Sequence, residues 1–170
     1  MKTFSGTNLA AFGLVLTLAG CSVAPPPAPH TAPSHSTRAL VQELFDAYAQ
    51  GNSRPFFDHV ADDVHWTITG TNMLSGEYHS KREFLDATYG RLARVLKGPV
   101  RPAVQRIVVE GNDAVVQWRG SSTSVQGQPY DNEYVWVLRF DGARIVEVTA
   151  YFDGGRLDAL FRATEPRPGG

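Results

Sequence analysis

The clearest alternation of hydrophobic and polar positions lies in residues 130–152, and it predicts two β-strands joined by a tight turn. Asp141 and Gly142 interrupt the apolar run, and Asp-Gly is a strong hairpin signal. The even-numbered positions form one face of this hairpin, made of Asn132, Tyr134, Trp136, Leu138, Phe140, Val146, Val148, Ala150 and Phe152. This face is apolar at one end and polar at the other, as is typical of a wall that lines a small-molecule pocket.

Apolar residues at helical spacing precede the strands. A first helix is predicted from Thr37, which is expected to cap it, to Gly51, which is expected to end it. A second, short helix is predicted over residues 53–60, with a serine as its cap. Ser80 and Glu83 form a capping-box pattern that opens a third helix.

The second half of the chain is dominated by strands. One strand is predicted before the third helix and four after it, at residues 64–69, 100–110, 114–124, 130–140 and 144–152. Residues 72–78 are predicted to be a loop, and residues 156–163 a short final helix. Helices followed by a run of adjacent strands predict an α+β domain, with its helices packed on one face of an antiparallel sheet.

The beginning of the chain resembles a bacterial lipoprotein signal peptide. An apolar run at residues 9–18 is short for a membrane span, and it leads into Leu18-Ala19-Gly20-Cys21. In that resemblance residues 1–20 are removed and Cys21 carries the lipid (palmitate) anchor. Ser22 stands where an Asp often causes inner-membrane retention, so we expect a cell-envelope protein on the outer membrane, facing the periplasm. The alternative is an ordinary secretory signal that ends near a cysteine.

Composition changes along the chain indicate the domain boundaries. Residues 21–36 are rich in Pro, Ala and Ser, and they predict an extended tether behind the lipidated cysteine. The folded domain is expected at residues 37–164, which is long enough for one hydrophobic core. Residues 165–170 predict a frayed tail.

Charge and motif content narrow the range of partners. The net charge of −1 argues against nucleic acid, which needs a concentrated basic surface. The single cysteine excludes an intrachain disulfide. The domain contains no His-x-His, His-x3-His or Glu-x-x-His spacing, so no metal is expected. It also contains no Gly-rich phosphate loop, and no cofactor is expected.

Five strings follow one another in a characteristic order: AYAQG at 47–51, ADDVHWTITG at 61–70, GEYHSK at 76–81, NEYVW at 132–136 and DGARIVEVTAYFD at 141–153. In this order they resemble the SnoaL-like branch of the nuclear-transport-factor-2-like (NTF2-like) superfamily, with its ketosteroid-isomerase-like cone fold. The resemblance implies a cone-shaped, strongly bent antiparallel sheet wrapped around the N-terminal helices, with an apolar pocket open at one end. It also implies a possible homodimer through the outer face of the sheet.

The same resemblance argues against ketosteroid isomerisation. A ketosteroid isomerase resembling this chain would carry its general-base Asp at Ile68, its acidic oxyanion donor at Trp136 and its tyrosine donor at Leu44. Apart from the indole N–H, these side chains supply neither a base nor an oxyanion donor. That mechanism is therefore not expected here.

The resemblance places several side chains on the pocket wall. The expected ligand-binding set is Trp66, Trp118, Asn132, Tyr134, Trp136 and Phe152. Indole rings could hold a flat apolar or aromatic molecule, or they could simply pack as core. The amide of Asn132 could bond a ligand carbonyl, or it could bond a neighbouring loop, because a buried amide needs partners in either case.

Two residues are candidates for proton transfer. Asp153 ends the last predicted strand near the expected pocket mouth, and pairing with an arginine or capping the next turn is its alternative role. His65 has a side chain suited to proton transfer near neutral pH. Strand alternation places it opposite Trp66, which favours a surface or dimer-facing position.

Three functions remain open from the sequence. The first, which the tryptophans favour, is an anchored lipoprotein that binds a small apolar or aromatic molecule. The second is a cofactor-independent isomerase, lyase or hydrolase that uses Asp153 or His65 as its base. The third is a dimerising or protein-docking module whose pocket is only core.

Overall fold

The computed structural model of the chain describes residues 34–164. The predicted signal peptide, Cys21, most of the tether and the tail at 165–170 lie outside the described residues. Among residues 34–164, no helix combines the length and apolar character that crossing a membrane requires.

Helices lie in the first half and at the end of the described chain. Their bounds are α1 Ser34–Ala49, α2 Arg54–His59, α3 Lys81–Phe84, a π-helical turn Leu85–Tyr89, α4 Gly90–Val95 and α5 Gly154–Thr164. The predicted end of α1 is confirmed, since Gly51 has a φ of 89° that favours glycine. Thr37 is not its cap: the helix begins at Ser34, and Thr37 is buried within it.

The predicted capping box is present at the start of α3. The Ser80 hydroxyl accepts a hydrogen bond from the backbone N–H of Glu83 at 3.1 Å. The Glu83 carboxylate accepts one from the backbone N–H of His79 at 2.7 Å. Ser53 precedes α2 as predicted, but its side chain makes no capping hydrogen bond.

Six strands form one curled, unclosed sheet in the order β2-β1-β6-β5-β4-β3. Their bounds are β1 Val60–Ile68, β2 Gly76–Tyr78, β3 Arg101–Glu110, β4 Asp113–Thr123, β5 Pro129–Asp141 and β6 Arg144–Phe152. The α+β fold with a bent sheet around the helices is confirmed. Every strand pair is antiparallel except β1–β6, which is parallel.

Two local assignments from the sequence are wrong. The predicted loop at 72–78 contains the short edge strand β2, which pairs with β1. A register irregularity after Arg139 pairs Phe140 with Ile145, so Ile145 is fully buried and Val146 only half-buried. Beyond this bulge the even positions Val148 and Ala150 face inward as predicted. A bulge places two residues against one, and this is why the alternation changes there.

The core lies between the helices and the concave face of the sheet. Helix α1 contributes a buried stripe at helical spacing, Val41, Leu44, Phe45 and Tyr48. The even-numbered face of β5 packs against this stripe, as the sequence predicts, with Trp136, Leu138 and Phe140 all buried. The core leaves room at one end of the curled sheet.

Candidate functional site

A cavity of about 420 Å³ opens between α1, the π-helical turn, α4 and the concave face of the sheet. Trp66, Trp118, Tyr134, Trp136 and Phe152 line it, as the sequence predicts. The other lining residues are Tyr48, Ile68, Leu74, Phe84, Thr88, Tyr89, Leu92, Ala93, Leu96, Lys97, Gly98, Pro99, Val100, Tyr130, Ala150 and Leu157. The lining stretch after α4, residues 97–99, is exposed, so it forms part of the mouth.

The three tryptophans are both core and cavity wall. Trp136 meets Trp66 and Trp118 edge to face, at centroid distances of 5.3 and 5.1 Å. Trp66 stacks on Phe84 at 3.7 Å, and Trp118 stacks on Tyr134 at 3.9 Å. Edge-to-face and stacked contacts hold each ring in one orientation. The wall therefore has a fixed shape before any ligand enters.

Two indole N–H groups of this wall are unpaired within the described part of the chain. The Nε1 atoms of Trp66 and Trp118 are buried and have no hydrogen-bond partner among residues 34–164. A buried donor without a partner destabilises a fold by about 1–3 kcal/mol. Both N–H groups are enclosed by protein atoms and belong to the packed wall.

Four tyrosines supply the cavity with hydroxyl groups. The hydroxyls of Tyr48 and Tyr89 bond to each other. Those of Tyr130 and Tyr134 do the same at 3.2 Å. One hydroxyl in each pair donates to the other, so each pair keeps one O–H for a further acceptor.

These hydroxyls stay protonated at physiological pH. Burial raises the pKa of Tyr48 to about 12, and its hydrogen bond with Tyr89 only partly offsets this. Burial also raises the pKa of Tyr89 and of Tyr134 well above the usual value, and nearby phenol groups raise both further. The pKa of Tyr130 is raised by burial as well. The tyrosines are therefore neutral hydrogen-bond donors rather than bases.

The π-helical turn helps to bring Tyr89 into the cavity. A π turn places one extra residue in a helical turn, which rotates the residues after it relative to those before it. Phe84 packs on Trp66 before the turn, and Tyr89 at its end reaches Tyr48 of α1. Sequence reasoning missed both Tyr48 and Tyr89 as site residues. The sequence does offer a signal for Tyr48, because helical spacing puts it on the same buried face of α1 as Leu44 and Phe45.

Asn132 does not line the cavity, which corrects the expectation of a ligand contact. Its Nδ2 donates to the Tyr130 hydroxyl at 3.1 Å and to the Asp153 carbonyl at 3.0 Å. Its Oδ1 accepts from the backbone N–H groups of Glu133 and Asp153, at 2.8 and 3.2 Å. Both amide protons and both oxygen lone pairs are thus used, and the role of Asn132 is to join β5 to the end of β6.

Asp153, the first candidate base, is not a cavity residue either. Its side chain is about half exposed, and Oδ1 accepts the backbone N–H of Arg156 in the first turn of α5 at 3.3 Å. Oδ2 pairs with Arg156 Nε at 3.3 Å. Both alternative roles are therefore present in one residue: it caps α5 and pairs with an arginine.

His65, the second candidate base, lies on the opposite face of β1 from Trp66. Its side chain is 45% exposed, and its ring stacks on His79 at a centroid distance of 5.1 Å. Alternation along the strand gives this outward position, as the sequence indicates. Neither candidate base reaches the cavity, and the lining residues include no Asp, Glu or His.

The cavity can therefore bind and polarise a ligand, but its own side chains offer no group that takes up a proton near neutral pH. Thr88 already donates to the Phe84 carbonyl at 2.6 Å. Lys97 at the mouth is the one cationic side chain among the lining residues described. The remaining polar groups are phenols and indole N–H donors. A general base for catalysis is not present in this set.

Solved structures share this fold. An NTF2-like protein from Burkholderia thailandensis is 19% identical with a TM-score of 0.62, covering 76% of this chain and 98% of that one. TerC, co-crystallised with polyporic acid, is 16% identical with a TM-score of 0.62, covering 74% and 98%. AclR from Streptomyces galilaeus, provisionally assigned as a hydroxylase, is 18% identical with a TM-score of 0.61, covering 81% and 91%. Identities this low show the fold alone.

Sequence comparison gives the family. No curated protein matches the chain significantly. The profile of the SnoaL-like domain family matches residues 41–148, which is more than half of the chain and includes both the helical lining and most of the sheet. The chain therefore belongs to the SnoaL-like domain family.

Proposed function

We propose that this protein binds a small, flat, largely apolar molecule that carries an acceptor oxygen, such as an aromatic ketone or a quinone. One observation carries the proposal: a tryptophan-walled cavity of about 420 Å³ whose lining side chains hold hydrogen-bond donors and no carboxylate or imidazole. Ligand pockets typically measure about 300–1,000 Å³ and combine apolar walls with few polar groups. The size suits a molecule of two or three fused rings.

The imbalance of donors over acceptors supports the choice of ligand. Each tyrosine pair keeps one O–H, because two hydroxyls that bond to each other use only one of their two protons. A carbonyl oxygen satisfies such donors, whereas a pure hydrocarbon leaves them unpaired.

Binding without catalysis is favoured over the enzymatic alternative. An isomerase, lyase or hydrolase of the expected type needs a base within reach of the substrate. Asp153 caps α5 and His65 faces outward, so neither residue is placed to act as the base that the enzymatic alternative requires. TerC, with its bound polyporic acid, shares the fold and supports ligand binding by analogy only.

The test compares two ligands that differ in one carbonyl group, 1-tetralone and tetralin. All three tryptophans of the chain line the cavity, so intrinsic fluorescence reports on it directly. We expect both ligands to change the fluorescence and 1-tetralone to bind about fivefold more tightly, since a neutral hydrogen bond contributes about 1 kcal/mol. In the double variant Tyr48→Phe, Tyr89→Phe, which removes one hydroxyl pair, we expect this preference to shrink while tetralin binding is kept.

Two results would count against the proposal. If neither compound changes the fluorescence or the melting temperature, the cavity is merely a packing defect. If both bind equally well in the unmodified protein, the cavity binds apolar molecules but the donors play no part.

We further propose that the domain is anchored in the cell envelope through a lipid on Cys21, on the outer membrane and facing the periplasm. The string Leu18-Ala19-Gly20-Cys21 and the Pro-rich residues after it support this. Intact mass spectrometry of the protein from a bacterial host should show a chain that begins at Cys21 and carries added acyl mass. Cys21→Ser should abolish this form, and an unlipidated chain in the unmodified protein would refute the anchor.

A homodimer through the outer face of the sheet stays a prediction. Tyr151 is an exposed aromatic residue on that face, and its side chain would be covered by a partner. Sedimentation of the purified protein distinguishes a monomer from a dimer.

A further inference from the structure

Three side chains with metal-binding atoms meet on the outer face of the sheet edge. In the β1–β2 ladder Trp66 pairs with Tyr78 and Thr67 with Glu77, so His65 comes opposite His79 in the same antiparallel register. Trp66 is buried against the cavity, and its neighbour His65 therefore points outward. Glu77 and His79 are two residues apart and share this outer side.

The three side chains are close enough to share one ion. A ring nitrogen of His65, a ring nitrogen of His79 and a carboxylate oxygen of Glu77 all lie within 4.8 Å of one another. His65 Nε2 is 3.7 Å from Glu77 Oε2. The two imidazole rings stack 5.1 Å apart with 12° between their planes.

We propose that His65, Glu77 and His79 form a binding site for a divalent transition metal of the zinc type. Two imidazoles and a carboxylate are a common donor set for Zn²⁺, whereas Mg²⁺ and Ca²⁺ prefer oxygen ligands alone. Zinc bonds of about 2.1 Å in tetrahedral geometry place donor atoms roughly 3.4 Å apart. A small rotation of the exposed rings about χ2, which is a soft torsion, brings the donors to this spacing.

The backbone around the site is already held in place. The β1–β6 ladder holds His65 and the β1–β2 ladder holds Glu77, while the backbone N–H of His79 donates to Glu83 in the capping box of α3. Only side-chain rotations are thus required for binding. A bound ion would tie the three-residue edge strand β2 to β1, and its fourth position would remain open to water.

Sequence spacing could not reveal this site. Its ligands come from two strands that the chain brings together only after the turn at residues 69–75, so they do not form a local motif. Glu77 lies in β2 and His79 directly follows that strand, and the other histidine comes from β1.

The experiment is a calorimetric titration of the purified protein with Zn²⁺, together with Co²⁺ absorption spectra. The chain has five histidines, so the triple variant His30→Ala, His35→Ala and His59→Ala keeps only the proposed pair. We expect this variant to bind one Zn²⁺ per chain, as the unmodified protein does through this site. His65→Ala or His79→Ala in that background should weaken binding at least about tenfold, and Glu77→Gln should weaken it less.

Melting temperatures measured without metal establish that each variant is folded. The proposal is overturned if the triple variant does not bind Zn²⁺, or if removing both His65 and His79 leaves its affinity unchanged.

Discussion

At the scale of single residues, the polar side chains on the inner wall have two separate roles. Tyr48, Tyr89 and Tyr134 line the cavity and stay neutral because burial raises the pKa of each. Asn132 instead uses all of its side-chain hydrogen-bonding atoms at the junction between β5 and the end of β6. A polar residue on an apolar wall must be satisfied, and its partners decide whether it serves the fold or the ligand.

Replacing Asn132 should therefore destabilise the fold. Asn132→Ala leaves the backbone N–H of Asp153 without its partner and the Asp153 carbonyl with only the Leu157 N–H at 3.4 Å. We expect a loss of about 2–3 kcal/mol in the free energy of unfolding. Urea unfolding measures this. Asn112→Ala, at an exposed turn position, is the matched control and should change little. A loss of ligand affinity in Asn132→Ala without a loss of stability would contradict the structural role.

Gly120 supports the aromatic wall by having no side chain. A Cβ atom there would lie 2.5 Å from Val100 Cγ1, 2.7 Å from Tyr134 Cε2 and 2.8 Å from Trp118 Cζ3. Gly120→Ala should displace the Trp118–Tyr134 stack and destabilise the protein by about 1–3 kcal/mol. Thermal unfolding and tetralone titration should both show the effect. Gly98→Ala, where a Cβ meets no atom within 4 Å, should leave the stability unchanged.

At the scale of elements, the π-helical turn determines the shape of the donor set. It lies between α3, which is fixed at its start by the capping box, and α4, which leads to the cavity mouth. Phe84 before the turn and Tyr89 at its end contact different walls of the cavity, Trp66 and Tyr48 respectively. A regular helix would keep these two residues in another angular relation.

Removing one residue from this turn should therefore separate Tyr89 from Tyr48. Deletion of the exposed Asp86 shortens the segment to α-helical length, and we expect the preference for tetralone over tetralin to shrink because Tyr89 loses its place beside Tyr48. Asp86→Ala keeps the length and is the control. Circular dichroism monitors whether the helix content is retained. Full tetralone preference in the deletion variant would show that the turn is not needed.

At the scale of the whole molecule, one shared aromatic cluster joins the helices to the sheet. Phe45 of α1 contacts Trp118 and Trp136 of the sheet, at centroid distances of 6.3 and 5.9 Å. The same rings bound the cavity, so stability and the binding site depend on common contacts. Because buried phenols belong to this cluster, we expect the stability of the whole fold to depend on pH in the alkaline range.

Stability should fall as the pH rises from about 10 to about 12. In the unfolded chain Tyr48 loses its proton near pH 10, whereas in the fold its pKa is raised to about 12, mainly by burial. Above pH 10 the unfolded state releases a proton that the folded state retains, so unfolding becomes more favourable. Across this pH range the one residue lowers the free energy of unfolding by roughly 3 kcal/mol. Urea unfolding at pH 8, 10 and 11 should show a shallower decline for Tyr48→Phe, and parallel declines would contradict the assignment.

The sequence by itself determined the class of fold, the order of the main elements and the inward face of β5. These follow from periodicity within single segments, and Trp136 and Leu138 show it because they lie two residues apart on the inward face of β5. The resemblance to the SnoaL-like family added the expectation that all three tryptophans line the inner wall, which is where they lie.

Only the tertiary structure decided which groups meet. The parallel β1–β6 pair, the bulge that buries Ile145 and the π turn that brings Tyr89 to Tyr48 all depend on register between distant segments. The partners of Asn132 and the meeting of His65 with His79 depend on the same registers. A local pattern specifies which face a side chain occupies, but its neighbours across the sheet come from packing that no single segment contains.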